Sequence, residues 1–251
     1  MENKNIILLK HHPIFDLKQD NAFYQNQLGG DDVDYFIDVT SHSARNKDLL
    51  TEFPTIAKDL SPFYIGPVVA SDGAVANVFE HWYQCSKVYP CHIDNDGNVT
   101  DEYFKWRDEW FKKPHAEKNT RHTNKSLGYE PGDCQFSLIY ENGEYKRLNY
   151  IETRKRLYIP MYAKMVYNSP TYKAIKKLVD EGKKVALVDF DAYNYYNKDY
   201  KNGIYKDINC IKDAINNPRF KAGHAFVLKM LLEGDIDVVD GIVVDKSGIL
   251  N

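Results

Sequence analysis

Glu80, Gln84 and Lys87 stand in the stretch Phe79-Glu80-His81-Trp82-Tyr83-Gln84-Cys85-Ser86-Lys87-Val88-Tyr89. Spacings of four and three residues put a carboxylate, an amide and an amine on one stripe of a helix. Facing a cavity, such a stripe can move protons or form a Schiff base with a sugar carbon. Facing water, it is only a charged surface with a weak ion pair. Val78, Trp82, Cys85 and Tyr89 fall at helical spacing on another face, the expected buried side.

A second acidic set, Asp189-Phe190-Asp191, follows the apolar run Val185 to Val188. Strand alternation puts both carboxylates on one face, where a close pair can hold a divalent cation or polarise a sugar hydroxyl. An Asp-capped turn is the plain alternative. Gly223-His224 opens an apolar helix whose first N–H groups could meet a phosphate. Arg154, Lys155 and Arg156 form the densest basic cluster, suited to pyrophosphate unless it is a solvated helix face. The other histidines lack metal-ligand spacing, so no metal and no cofactor is expected. A Gly-rich phosphate loop and a Gly-x-Ser-x-Gly elbow are both missing.

The elements that must carry these residues are short and irregularly ordered. Tyr35 to Thr40 reads as a buried strand, Ser61 to Val69 as an extended segment held out of helix by two prolines, and Asp72-Gly73 as a turn. Thr100 to Lys113 reads as a helix. Phe136–Tyr140 and Tyr145–Leu148 form a hairpin through Asn142-Gly143. A helix from Ile151 to Met165 is kinked or delayed by Pro160. Tyr172–Glu181 is a helix closed by Gly182, Val185–Phe190 a strand, and Gly223–Leu232 a core helix. Without a regular βαβ rhythm the fold class is α+β, a single domain of several helices around small sheets.

The chain has 251 residues, a net charge of −3, 43% hydrophobic and 27% charged residues. That length supports a sizeable core, and that charge gives no broad field to attract nucleic acid. Four cysteines without CxxC pairing are too few for a disulfide scaffold, so reduced thiols in a cytoplasm are expected. No apolar run is long enough for a membrane span, so no membrane partner is expected.

Taken in order, the pieces resemble the NADAR superfamily of small ADP-ribose-linked N-glycosidases. Its pattern runs Ser-Asn-Phe-Tyr, an Asp-Gly turn, then Glu-His-x-Tyr-Gln-x-x-Lys. This chain has Ser61-Pro62-Phe63-Tyr64, Asp72-Gly73, and Glu80-His81-Trp82-Tyr83-Gln84-Cys85-Ser86-Lys87. Arg154–Lys164, Val185–Asp191 and Gly223–Leu232 look like the family's later parts. The Val39-Thr40-Ser41 entry and Arg156-Leu157-Tyr158-Ile159-Pro160 look like an uncharacterised phage and bacterial branch. Pro62 stands where the family has Asn, and the expected Trp-Gly after the acidic strand is missing.

The resemblance implies residues 1–34 as an N-terminal extension and 35–251 as the glycosidase domain, with an inserted polar loop at 91–132. It implies Lys87, Glu80 and Asp191 as catalytic residues, Lys87 attacking the anomeric carbon and Glu80 moving the proton. Phe63, Tyr64, Gln84, Arg154, Arg156, Asp189, Gly223 and His224 would bind substrate. The expected partner is a nucleotide or ADP-ribose-like small molecule, or an ADP-ribosylated nucleic acid. A pocket that only sequesters such a nucleotide is the alternative, and a metal-dependent phosphohydrolase or transferase using Asp189 and Asp191 is a third reading.

Overall fold

The computed structural model describes residues 6–10, 33–40, 56–116, 131–192, 204–205 and 208–251. The readings of Ser41, of most of the Pro114–Gly132 loop and of the Tyr193–Asn202 loop lie outside them. In chain order the elements are β1 (Ile6–Lys10), β2 (Tyr35–Asp38), α1 (Ile56–Leu60), β3 (Val68–Val69), β4 (Val75–Ala76), α2 (Phe79–Gln84) and β5 (Lys87–Val88). Then come α3 (Asp101–Phe111), β6 (Phe136–Glu141), β7 (Glu144–Leu148), α4 (Tyr150–Thr153), α5 (Ile159–Val166), α6 (Pro170–Asp180) and β8 (Val185–Asp189). β9 (Ile204–Tyr205), α7 (Ile208–Asn216), α8 (His224–Leu232), β10 (Ile236–Val239) and β11 (Ile242–Asp245) complete the chain. Helices with several small sheets make the fold α+β.

The chain divides into two compact units, one of residues 62–158 and one of residues 1–61 with 159–251. In the second of these the sheet order is β2-β8-β1-β9, with β8 parallel to both β1 and β2. Val185, Ala186, Leu187 and Val188 are fully buried, as are Ile6 and Leu8. Strands covered on both faces read as continuous apolar runs, which is why Val185–Val188 shows no alternation. The segment taken as an N-terminal extension thus supplies an interior strand. Every residue of α8 is buried, including Lys229, which donates to the Ile6 carbonyl at 2.5 Å and pairs with Glu233 at 2.6 Å. β10 and β11 form a hairpin through Asp240-Gly241, both at positive φ, a turn the sequence reading passed over.

In the 62–158 unit, β5, β6 and β7 form an antiparallel sheet. Asn142 (φ 55°) and Gly143 (φ 86°) turn β6 into β7 as the Asn-Gly pair requires. Within the stretch taken as an inserted polar loop at 91–132, the expected Thr100–Lys113 helix is present as α3, and its Tyr103, Trp106, Trp110 and Phe111 are buried core. The expected helix from Ile151 to Met165 is broken into α4, a π-turn over Arg154–Tyr158, and α5. Pro160 lacks an N–H and its ring crowds the carbonyl four residues back, so the wider turn falls just before it.

Candidate active site

α2 starts without a side-chain cap: its N-cap is Val78. The backbone of the preceding segment does that work, Phe79 N–H donating to the Ile65 carbonyl and Glu80 N–H to the Pro62 carbonyl, each at 2.9 Å. Gly66 allows the close approach, since a Cβ there would lie 2.1 Å from the Asn77 carbonyl oxygen. The Ser61-Pro62-Phe63-Tyr64 turn is therefore what sets the start of the helix bearing Glu80. Phe63 is half-buried, and Tyr64, at 52% exposure, points outward.

The helix is shorter than its sequence pattern suggests. It ends at Gln84, with Cys85 as C-cap, and Lys87 opens β5 opposite Ser137 of β6. The expected one-face helical stripe is thus corrected, yet its three side chains still meet. Lys87 Nζ donates to Gln84 Oε1 at 2.7 Å, and Gln84 Nε2 donates to Glu80 Oε1 at 3.0 Å. Glu80 is only 7% exposed. A solvated surface stripe does not describe it.

Around this chain lie groups that the sequence reading did not single out. Lys87 Nζ sits 4.9 Å from the Tyr83 ring centre, a cation–π distance. Burial lowers the Lys87 amine from its usual value, against the opposing influence of Cys134, Glu80 and Cys85. The Cys134 thiol is pushed up by burial, with Lys87 pulling the other way. Burial likewise raises the Tyr83 hydroxyl, reinforced by Tyr150 and opposed by Arg154. Arg154, on the π-turn, is 2% exposed and lies over the Tyr150 ring at 4.6 Å. Arg156 instead pairs with Glu141, which corrects the reading of the basic run as one cluster. A π-turn inserts one extra residue into the helical phase, so near neighbours on it diverge.

The unit also holds a cleft of about 370 Å³, counting solvent at its mouth, walled by Ser71, Asp72, Trp82, Arg107, Tyr140 and Tyr145. Its polar groups bond one another: Asp72 Oδ2 accepts from Arg107 and from the Tyr145 hydroxyl, each at 2.5 Å, and Ser71 Oγ accepts the Tyr140 N–H at 3.1 Å. This network ties the Asp72-Gly73 turn to α3 and the hairpin.

Asp189, Asp191, Gly223 and His224 belong to the other unit. Asp189 ends β8 and is 2% exposed; its Oδ1 accepts the Phe190 N–H at 2.8 Å, and its Oδ2 has no hydrogen-bond partner among the described residues. His224 Nδ1 lies 3.9 Å from that Oδ2, and His224 Nε2 bonds the Val39 carbonyl. A Cβ on Gly223 would come within 2.7 Å of Asp191 Oδ2, so Asp191 packs on the α8 entry. Desolvation pushes Asp189 up to about 7, with Asp191 and Asp38 adding to the rise and His224 opposing it. Tyr162 and Asp38 are the members of this set that the sequence reading omitted. Among the described residues, no three His, Cys, Asp or Glu side chains are grouped to hold a metal ion. No described helix is long and apolar enough to cross a membrane.

Comparison of the chain with protein-family models, with curated proteins and with solved structures finds no match.

Proposed function

We propose that the protein is a metal-independent N-glycosidase acting through Lys87 on a ribosylated base, an ADP-ribosyl adduct or a related nucleotide. One observation carries this reading: a partly desolvated amine with a lowered proton affinity, bonded through Gln84 to a buried carboxylate. A neutral amine is the nucleophile that imine chemistry needs. Gln84 Oε1 takes one Lys87 N–H, which leaves the nitrogen lone pair directed elsewhere.

In the proposed reaction the Lys87 lone pair forms a bond to the anomeric carbon as the bond from that carbon to the base nitrogen breaks. The new ammonium gives up a proton, which Glu80 takes and returns to the departing base. The bond from the anomeric carbon to the ring oxygen then opens to an iminium on Lys87. Water adds to that carbon, its protons passing to the ring oxygen and to Lys87, and the free sugar aldehyde leaves. The Tyr83 ring beneath Nζ favours the cationic stages. Arg154, by the same reading, holds a phosphate of the substrate.

Intact-mass spectrometry after incubation with ADP-ribose or ribose 5-phosphate and cyanoborohydride tests the proposal, because the sugar aldehyde forms the same imine in reverse. A single reduced adduct on Lys87, lost in Lys87→Ala, is the expected result. Binding of ADP-ribose with no adduct and with the ligand returned intact would overturn it in favour of sequestration.

A further inference from the structure

We propose that Asp189 and His224 form a second ligand site, at the carboxyl ends of β2 and β8, for a neutral hydroxyl-bearing molecule that bridges them. The argument starts at His224 Nε2. Its partner, the Val39 carbonyl, can only accept, so Nε2 carries the ring proton. In the neutral ring Nδ1 is then a lone pair, and it faces Asp189 Oδ2 at 3.9 Å. Two acceptors facing each other in a buried site repel, and 3.9 Å is too long for one proton to bond both directly, so a hydroxyl placed between them is what relieves the repulsion.

Neighbouring donors do not satisfy Asp189 Oδ2. The Phe190 N–H goes to Asp189 Oδ1 and the Tyr162 hydroxyl to the Leu60 carbonyl, while Asp38 Oδ1 takes the Thr40 N–H. A buried carboxyl oxygen without a hydrogen-bond partner among the described residues is costly, and a ligand hydroxyl would relieve that cost. The position agrees with the general rule that ligands sit beyond the carboxyl ends of parallel strands, here beside the α8 N-terminus. The titratable groups facing Asp189 are His224 from α8, Asp38 from β2, Tyr162 from α5 and Asp191 from the following turn. Lys10 is its register partner on β1. With Asp38 and Asp191 both facing the site, a phosphate would meet like charge, which is why the favoured ligand is uncharged. Desolvation raises the Asp189 carboxyl, which suits an uncharged ligand.

Long-range proton–nitrogen NMR of the full chain labelled on histidine nitrogen tests this, with His224→Gln assigning the signals. The expected spectrum above neutral pH shows Nε2 protonated and Nδ1 as a lone pair. Asp189→Asn keeps the shape and the Phe190 bond while replacing the buried acceptor that the ligand hydroxyl would meet. D-ribose should shift the His224 nitrogens in the native chain and not in Asp189→Asn, and ribose 5-phosphate should do so only at higher concentration. A protonated Nδ1 above neutral pH, or His224 signals indifferent to D-ribose, would each overturn the proposal. The readout needs no turnover, so it stands whether or not Lys87 forms an imine.

Discussion

Lys87 is the residue on which the chemistry turns, and its proton equilibrium makes a prediction about stability. Its folded-state value is lowered by burial, so between that value and the usual 10.5 the unfolded chain binds more protons than the folded one. Stability therefore rises with pH across that window. Urea unfolding of the native chain and of Lys87→Met should show the native chain gaining stability relative to the variant as pH climbs through it. A parallel pH dependence in both would mean that the amine is not desolvated. Asp189 has the opposite sign: between 3.8 and about 7 the folded state binds more protons, so stability falls as pH rises. Asp189→Asn should flatten that decline and be the more stable protein above neutrality. Glu80 and Lys87 could be read from spacing because positions three and four apart stay near one another even when the helix ends between them. Tyr83, four residues before Lys87, is open to the same spacing argument, whereas Cys134 could not be read, since only tertiary packing brings it to the amine.

At the scale of elements, what was legible was local. The β6–β7 hairpin is encoded by two residues that tolerate positive φ, and α6 by Ser169 accepting from Tyr172 N at 3.2 Å with Pro170 in its first turn. The end of α2 is set from outside: Val88 and Lys87 pair with Phe136 and Ser137, nearly fifty residues on, and this ladder competes with another helical turn. The π-turn likewise needs Pro160 and the packing of Arg154 together. In α8 the balance is electrostatic. The Lys229 and Glu233 side chains are both buried and pair at 2.6 Å. Lys229→Met should cost about 3–5 kcal/mol, because it removes the buried carboxylate's ammonium partner and deprives the Ile6 carbonyl of its donor. Lys229→Met combined with Glu233→Leu should recover much of that loss in chemical denaturation. Failure of the double variant to recover would assign the cost to packing instead.

For the whole molecule, the parallel sheet is the feature with no local signature, since β1 pairs with a strand some 180 residues later. Apolar periodicity marks Ile6–Leu9 as strand-like but says nothing of which edge it joins, and an apparent extension at the start of a chain is an easy reading. The register gives that placement an energetic consequence. Ile6, Leu8 and Leu9 are at most 2% exposed and Ile7 is 8% exposed. At roughly 1.5–3 kcal/mol for each side chain removed from water, the strand contributes at least about 6 kcal/mol. A typical domain has only about 5–15 kcal/mol in total. Removing residues 1–10 also strips β8 of one of its two parallel neighbours and takes the Ile6 carbonyl from Lys229. A chain beginning at residue 11 should therefore lose the native amide NMR dispersion of β8 and α8. It should lose the His224 tautomer signature with it, since Val39, Asp189 and His224 are held by that sheet and helix. Retention of dispersed β8 and α8 signals in the truncated chain would show that β1 does not hold the sheet together.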